Sequence, residues 1–302
     1  MYEVAVLMSC YNGEKYIAQQ IESILNQDNV NINIYIRDDG STDNTRNIIK
    51  KFSKSVFLLE GDNVGLNNSF ASLIWDSNIK ADFYAFSDQD DVWQSNKLIT
   101  AINYLVNVEG AGMYASNQRV VDENLKYIKP LYGLEENDLP FPKYKNFSYF
   151  LIHNNYFGNT IVFNNEAMRV IREYRPYELI VQHDTWVSII IYMFGTIIFD
   201  RNMYSSYRQH DNNVVGGVAP QSSFRSKMNT LLSKKPIYGQ LATFIMTGYK
   251  MKMTADELKF LTTLSELPKA SSKIKLLLDK NVTDRTMYKT LVLYILIIFS
   301  KF

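Results

Sequence analysis

The first 106 residues alternate two kinds of hydrophobic pattern, and that alternation restricts the fold more than any other feature of the chain. Apolar runs at 3–9 (EVAVLMS), 32–36 (INIYI), 55–60 (SVFLLE) and 81–87 (ADFYAFS) have strand length and no helical period. Between them lie segments with helical spacing: 14–25, where Ile17, Ile21, Ile24 and Leu25 share a face; 41–52, opened by the capping run Ser41-Thr-Asp-Asn; 67–75; and 96–106. Strand and helix in strict alternation imply right-handed crossovers between parallel strands. The expected architecture is α/β, a mostly parallel central sheet flanked by helices. Further on, strand-like stretches (AGMYASNQRVV, NTIVFN, GTIIFD) mix with the helical AMRVIREY and DTWVSIIIYMF, and after Gly216-Gly217 the pattern turns helical and basic.

At 302 residues the chain suffices for one large α/β domain or two smaller ones. A net charge of +1 gives no global reason to expect nucleic acid as a partner. The charge is unevenly spread: from position 216 onward 14 Lys plus Arg face 5 Asp plus Glu, leaving 18 against 26 for residues 1–215. Cys10 is the single cysteine, so no intrachain disulfide and no Cys-based zinc cluster can form, which fits a reducing cytosol. The start, MYEVAVLMSCYN, has no basic region and no long apolar stretch, so a signal peptide is not expected. The longest apolar run, LVLYILIIF at 291–299, falls short of the roughly 20 residues that span a bilayer. The chain is expected to touch a membrane at most, not to cross it.

In open α/β sheets ligands bind beyond the carboxyl ends of the strands, and three polar segments sit there: SCYNGEKY, RDDGSTDNT and SDQDDVW. The last crowds Asp88, Asp90 and Asp91 into four positions, where like charges raise one another's pKa. Carboxylates at i and i+2 of a strand end can reach one point. Mg2+ or Mn2+ there would relieve the repulsion, its shell completed by water and substrate phosphates. A solvated acidic turn or a helix N-cap cluster is the competing reading. An EF-hand is excluded for want of its Gly and distant Glu. The spacing of an aspartyl-nucleophile phosphatase is met formally, but on the fourth strand and not the first. Asp38-Asp39-Gly40-Ser41 ends the second strand; either carboxylate can accept from a nucleobase or ribose, and Gly40 permits positive φ. An ordinary turn with an N-capping Ser or Thr is the alternative. In YRQHDNNVVGG (207–217), Arg208 and His210 can meet a developing diphosphate charge and His210 can complete a metal shell, while Gly216-Gly217 suggests a lid.

Residues 4–39, VAVLMSCYNGEKYIAQQIESILNQDNVNINIYIRDD, followed by GSTDNT, GDNVGLNNSFASL and FSDQDDVWQSNKL, resemble the inverting glycosyltransferase family 2, with its GT-A (Rossmann-like) fold. Within it, SDQDD-aliphatic-Trp is similar to the rhamnosyltransferase-like branch of bacterial polysaccharide biosynthesis, which builds capsule, O-antigen and cell-wall glycans. The resemblance runs over about residues 3–215. It implies donor contacts from Ser9, Tyr11, Asn12 and Glu14, a hold on base or ribose by Asp39 with Asp38 beside it, and a segment from Asn63 to Asn68 bordering nucleotide and sugar. It implies a metal on Asp88 and Asp90, Asp90 above all, with Gln89 among the donor contacts. VQHDTW (181–186) matches the family's acid before an acceptor-side helix, so Asp184 is the expected base that takes the acceptor hydroxyl's proton, with His183 tuning its position. Helix capping by Asp184 is the alternative. Thr185 stands where that branch often carries an aromatic residue, a departure that bears on sugar and acceptor identity. Asp91, Trp93, His183 and Trp186 are the candidate sugar or acceptor contacts.

On this basis residues 1–215 are expected to form the glycosyltransferase domain, with a nucleotide-sugar half at 1–115 and an acceptor half at 116–215. Residues 216–302 are expected as a basic, amphipathic helical extension. The implied function is metal-dependent, inverting transfer from a nucleoside-diphosphate sugar (dTDP-rhamnose or a UDP-hexose) to a growing bacterial polysaccharide or lipid-linked glycan. The alternatives are an aspartate-based metal-dependent phosphatase and a non-catalytic sugar-nucleotide or glycan-binding module. Lys227, Lys234, Lys235, Lys250, Lys252, Lys269, Lys273 and Lys275 interleave with FIM, LLL and LVLYILIIF, which suits an anionic membrane surface. The same composition suits helices covering a core or a dimer interface, so homo-oligomer formation stays open. The expected location is cytoplasmic, peripheral at the inner face of the cell membrane.

Overall fold

The computed structural model describes residues 1–52, 54–133, 146–154, 156–210, 236–283 and 287–302. The chain divides into two units, Met1–Leu134 with Tyr156–Val215 and Glu135–Asn155 with Gly216–Phe302. Residues 135–155, expected within the acceptor half, thus group with the C-terminal part.

The described residues form nine strands: β1 (Tyr2–Cys10), β2 (Val30–Asp38), β3 (Val56–Glu60), β4 (Phe83–Ser87), β5 (Val92–Trp93), β6 (Gly112–Val121), β7 (Tyr127–Pro130), β8 (Ile161–Asn164) and β9 (Thr196–Arg208). The α-helices among them are α1 (Ile17–Leu25), α2 (Thr45–Ile49), α3 (Leu66–Ile74), α4 (Lys97–Leu105), α5 (Phe147–His153), α6 (Asn165–Arg172), α7 (His183–Phe194), α8 (Tyr238–Tyr249), α9 (Ala255–Ser265), α10 (Ala270–Leu278) and α11 (Met287–Ile298).

All nine strands belong to the first unit and form one sheet in the order β3-β2-β1-β4-β8-β6-β9-β5, with β7 paired to β6. The four strands of the alternating N-terminal pattern pair in parallel, as their helical crossovers require. The rest is mixed: β8 runs antiparallel between β4 and β6, β9 is parallel to β6, and β5 and β7 are antiparallel to their neighbours. β1 is buried without interruption from Val4 to Cys10, because neighbours flank it on both sides and helices cover both faces. Val4, Val6 and Met8 pack in one cluster with Ile34, Ile36, Ile17, Ile21 and Ile24, all at 0 % exposure. Burying each such side chain contributes roughly 1.5–3 kcal/mol, so the strands are held by their interior and the loops at their ends are released to carry charge.

Two helices start later than the spacing predicts. α1 begins at Ile17 because Tyr16 and Ile17 donate to Gly13 O (3.1 and 3.0 Å), closing a turn over 13–16 first. α2 begins at Thr45, where Asp43 Oδ1 accepts from Thr45 N (3.0 Å), while the side chains of Ser41 and Asp43 also bond to the β1–α1 loop. Ser41 Oγ accepts from Asn12 N (2.9 Å), and Asp43 Oδ2 from Glu14 N (3.1 Å).

The described residues of the second unit are helical. α9 opens with a capping box: Thr254 Oγ1 accepts from Glu257 N, and the Glu257 carboxylate accepts from Thr254 N. Tyr238 Oη of α8 donates to Ile152 O (3.3 Å), and Phe147 meets Phe260 edge-on at 6.2 Å.

Candidate active site

The strand sequence reverses direction at β1: the chain builds outward to β2 and β3, then returns to place β4 on β1's other side. Such a switch point leaves a crevice beyond the carboxyl ends of β1 and β4. Two reciprocal hydrogen bonds cross it, Tyr11 N to Gln89 Oε1 (2.9 Å) and Gln89 Nε2 to Tyr11 O (3.2 Å). Ser9 Oγ donates to Ser69 Oγ (2.6 Å), fastening β1 to α3. Asn12 and Glu14 tie the β1–α1 loop to the β2–α2 loop: Asn12 Oδ1 accepts from Thr42 N and Glu14 Oε2 from Asn44 N, both at 2.9 Å.

At the end of β2 the acids are compensated. Asp38, with no exposure, accepts from Arg46 Nε (2.6 Å), Ser41 N (3.0 Å) and Cys10 Sγ (3.6 Å). Burial pushes its pKa up, but the bonds from Ser41 and Arg46 outweigh burial and hold the carboxyl below its usual range. Asp39 pairs with Arg37 and accepts from Val64 N and Gly65 N, each at 2.9 Å. That carboxylate therefore shapes the segment Asn63–Gly65, and Asn68 Nδ2 closes the same segment onto Val64 O (3.1 Å). Gly40 has φ +84°, and a Cβ there would lie 3.1 Å from Asn63 N, so both the turn and the neighbouring loop require glycine.

At the end of β4, Asp88 has no such partner among the described residues. Burial, then the charge of Asp90, then that of Asp184, push the Asp88 carboxyl up to about 7. Asp184 stands in the first turn of α7, 7 % exposed; its Oδ2 accepts from Gly158 N (2.9 Å) and its Oδ1 from Thr185 N (2.6 Å). Burial raises it to about 6, the two backbone bonds restraining the rise. Asp90 Oδ2 lies 2.8 Å from His210 Nε2, whose ring stacks on Tyr16 at 5.1 Å. Among the described residues no Lys or Arg forms an ion pair with Asp88, Asp90 or Asp184.

Arg208 is 3 % exposed. Its guanidinium donates to Asp90 O (2.9 Å), Glu123 O and Gln19 Oε1 (2.6 Å) and lies 4.5 Å over the Tyr16 ring, so each of its three nitrogens, expected to face a diphosphate, already donates to a protein acceptor. Asp91, Trp93, His183 and Trp186 are interior, at 0, 4, 5 and 0 % exposure, and such burial offers a sugar no surface. Asp91 accepts from Asn159 Nδ2 and from Arg208 N (3.2 Å); burial first, then Asp88 and Asp90, push it well above the carboxylate range. Beside it Lys97 lies fully buried, Nζ 3.5 Å from the Trp93 ring centroid, pushed down to about 7 by burial against the pull of Asp91.

The expected residues therefore come together in two groups, Asp38 and Asp39 with Asn63, and Asp88 and Asp90 with Asp184 and His210, bridged by Tyr11 and Gln89. Gly216, Gly217, Lys227, Lys234 and Lys235 lie outside the described residues. Gln20, Asn159 and Gly158 were not anticipated. Gln20 had a signal: it is a polar residue on the buried stripe Ile17, Ile21, Ile24, and its amide reaches Ser87 Oγ (2.8 Å) beneath the acidic turn.

The sequence model of Glycosyl transferase family 2 matches residues 5–173. The dTDP-rhamnosyl transferase RfbG of Shigella flexneri is 33% identical over 247 residues, 74% of this chain and 78% of that protein. Among solved structures, S. aureus TarS in complex with UDP-GlcNAc aligns with a TM-score of 0.55 at 16% identity, over 98% of this chain and 90% of that one. The mannosyltransferase PcManGT from Pyrobaculum calidifontis, in complex with GDP-Man and Mn2+, aligns at 0.52 and 13% identity, over 90% and 71%. At these identities the likeness to the two structures is one of fold, and the fold is GT-A. The matched segment spans β1 to α6 with both acidic turns, and the chain belongs to glycosyltransferase family 2.

Proposed function

We propose that this glycosyltransferase is metal-dependent and inverting, and moves a sugar from a nucleoside-diphosphate donor, dTDP-rhamnose or a UDP-hexose, to a growing bacterial polysaccharide or lipid-linked glycan. The carboxylate cluster of Asp88, Asp90 and Asp184 carries this reading. Crowded, partly buried like charges with no Lys or Arg partner are stabilised when a ligand brings the positive charge. Among the described residues no three His, Cys, Asp or Glu side chains surround a common point. Mg2+ and Mn2+ do not need such a cage, since one or two carboxylates plus substrate phosphates suffice. The hard oxygen donors of Asp88 and Asp90, with the His210 imidazole against Asp90, fit that requirement. When bound, the ion supplies neutralisation of the diphosphate's charge.

Asp184 is the base in this reading. The acceptor hydroxyl oxygen attacks the anomeric carbon from the face opposite the phosphate. The bond from that carbon to the phosphate oxygen breaks, the nucleoside diphosphate keeps the electron pair, and Asp184 takes the hydroxyl proton. A carboxyl raised to about 6 is a stronger base than an ordinary aspartate and is still ionised at neutral pH. Asp39 and the segment it holds border the nucleoside, His210 faces the leaving group, and Arg208 braces the Asp90 turn. The name of RfbG supports a dTDP-rhamnose donor.

Membrane contact belongs to the same reading. α10 exposes Ile274 and Leu278, and α11 and the residue after it expose Tyr288, Leu291, Ile298 and Phe299, each by half or more. Lys275, Lys280 and Lys289, exposed on or beside the same helices, suit an anionic surface. No helix among the described residues is long and apolar enough to cross a membrane.

The test is a thermal-shift panel of sugar nucleotides with and without Mn2+. Ligand at a hundred times its dissociation constant stabilises by about 2.7 kcal/mol. The expected outcome is a Mn2+-dependent shift with one dTDP- or UDP-sugar that Asp90→Ala abolishes; an equal shift in Asp90→Ala would reject the metal assignment.

A further inference from the structure

Gly158 opens the 3-10 turn Gly158–Thr160 that leads into β8, and its N–H is the donor to Asp184 Oδ2. A Cβ at this position would lie 2.6 Å from His183 Nε2, 3.2 Å from His183 Cε1 and 3.6 Å from Asp184 Cβ. The imidazole has nowhere to retreat. It stacks on Phe70 of α3 with centroids 3.6 Å apart and planes at 14°, and it meets Phe86 of β4 edge-on at 4.6 Å. Phe70 and Phe86 in turn contact each other edge-on at 5.6 Å. Neither ring nitrogen of His183 has a hydrogen-bond partner, so the ring is held by packing alone. The box thus joins three elements: α3, whose N-terminal side Asp39 holds; β4, which is followed directly by Asp88; and α7, which carries Asp184.

We propose that Gly158 is a positioning residue for the base: the missing side chain lets its N–H reach Asp184 Oδ2 while the His183 ring, wedged between Phe70 and Phe86, fills the space beside it. The proposal rests on the assignment of Asp184 as base. With Gly158 N on one oxygen and Thr185 N on the other, the carboxylate is clamped in one orientation, and charge-assisted bonds of this kind are the strong ones. A methyl group at 158 must push either the turn or the ring. Either movement displaces the bond to Oδ2 and turns the base, while the donor-facing loops at β2 and β4 stay in place.

Full-length variants are compared in release of nucleoside diphosphate from dTDP-rhamnose and UDP-glucose, with a lipid-diphosphate-linked saccharide or water as acceptor, and in UDP and dTDP binding by calorimetry. For Gly158→Ala we expect kcat to fall about 100-fold, the scale of a misplacement of about 1 Å, with nucleotide affinity unchanged. In His183→Ala the added methyl meets no ring, so Gly158→Ala/His183→Ala should match His183→Ala in kcat; this comparison carries the test even if Gly158→Ala alone fails to fold. Wild-type kcat in Gly158→Ala, a parallel loss of kcat and nucleotide affinity, or a methyl that costs as much without the imidazole as with it would each overturn the proposal. Asp184→Asn in the same assay separates the two readings. An active Asp184→Asn removes the base assignment, whereas an inactive Asp184→Asn beside a fully active Gly158→Ala removes only the positioning.

Discussion

Two acidic turns lie on the same edge of one sheet, at the ends of β2 and β4 with only β1 between them, and they solve the same electrostatic problem in opposite ways. Asp38 and Asp39 are buried beside Arg46 and Arg37, and Asp38 is held below the ordinary carboxylate range. Asp88 has no such cation and is pushed up to about 7. An acid whose charge is met from within the chain is scaffold; here it shapes the loop from Asn63 to Gly65. An acid left without a Lys or Arg partner has its charge open to a proton or to a bound cation, which is why the proposed metal is assigned to this turn.

The largest expected effect falls on the uncompensated side. Asp184→Asn should lower turnover by roughly 10²–10⁴-fold, the contribution of a general base, and leave calorimetric donor affinity intact; surviving turnover would break the contrast at its functional end. On the compensated side the cost should appear in stability instead. Arg37→Ala leaves the Asp39 charge buried and unpaired and should destabilise by about 3–5 kcal/mol in urea unfolding, whereas a neutral result would mean that the pairing is not structural.

The third comparison sets like substitutions side by side. Asp38→Asn should lose about 1.5–3 kcal/mol with its charge-assisted bonds. In metal-free buffer Asp88→Asn should gain on the order of 1 kcal/mol, because it removes a carboxyl that is costly to ionise. Changes of the same sign would dissolve the distinction between the turns.

The smallest effects are in pH. Turnover should rise with pH through about 6 as Asp184 loses its proton. The stability signs are opposite at the two sites. Asp184, raised above its ordinary 3.8, contributes stability that is complete below 3.8 and is lost as pH rises through about 6. Asp38, lowered, contributes stability that is present above 3.8 and is lost as pH falls below it. Unfolding of Asp184→Asn and Asp38→Asn between pH 3 and 7, each against wild type, should show these opposite slopes.

Much of this was legible in the chain. The first four strands and the helices between them followed from hydrophobic pattern, because continuous apolar runs and helical spacing are both written locally in the chain. β5, two residues long, and β7, four, carry no period, and they exist because β9 and β6 offer edges to pair with. The acids of both turns were visible as candidates, since a polar loop after a buried strand needs no partner to be recognised. Their electrostatic state was not visible. Asp38 and Asp88 look alike in sequence, and Arg208 reads as a phosphate contact until its guanidinium is found on Asp90 O, Glu123 O and Gln19.

What the sequence alone determined was the order of strands and helices in the N-terminal half and the placing of acidic loops at the strands' carboxyl ends, because hydrophobic periodicity is a local property. Tertiary structure alone decided which acids are neutralised and which are aimed. Arg46 reaches Asp38 across 8 positions, Gly158 reaches Asp184 across 26, and His210 reaches Asp90 across 120. Charge compensation and hydrogen bonding act over a few ångströms of space, and separation along the chain does not encode that distance.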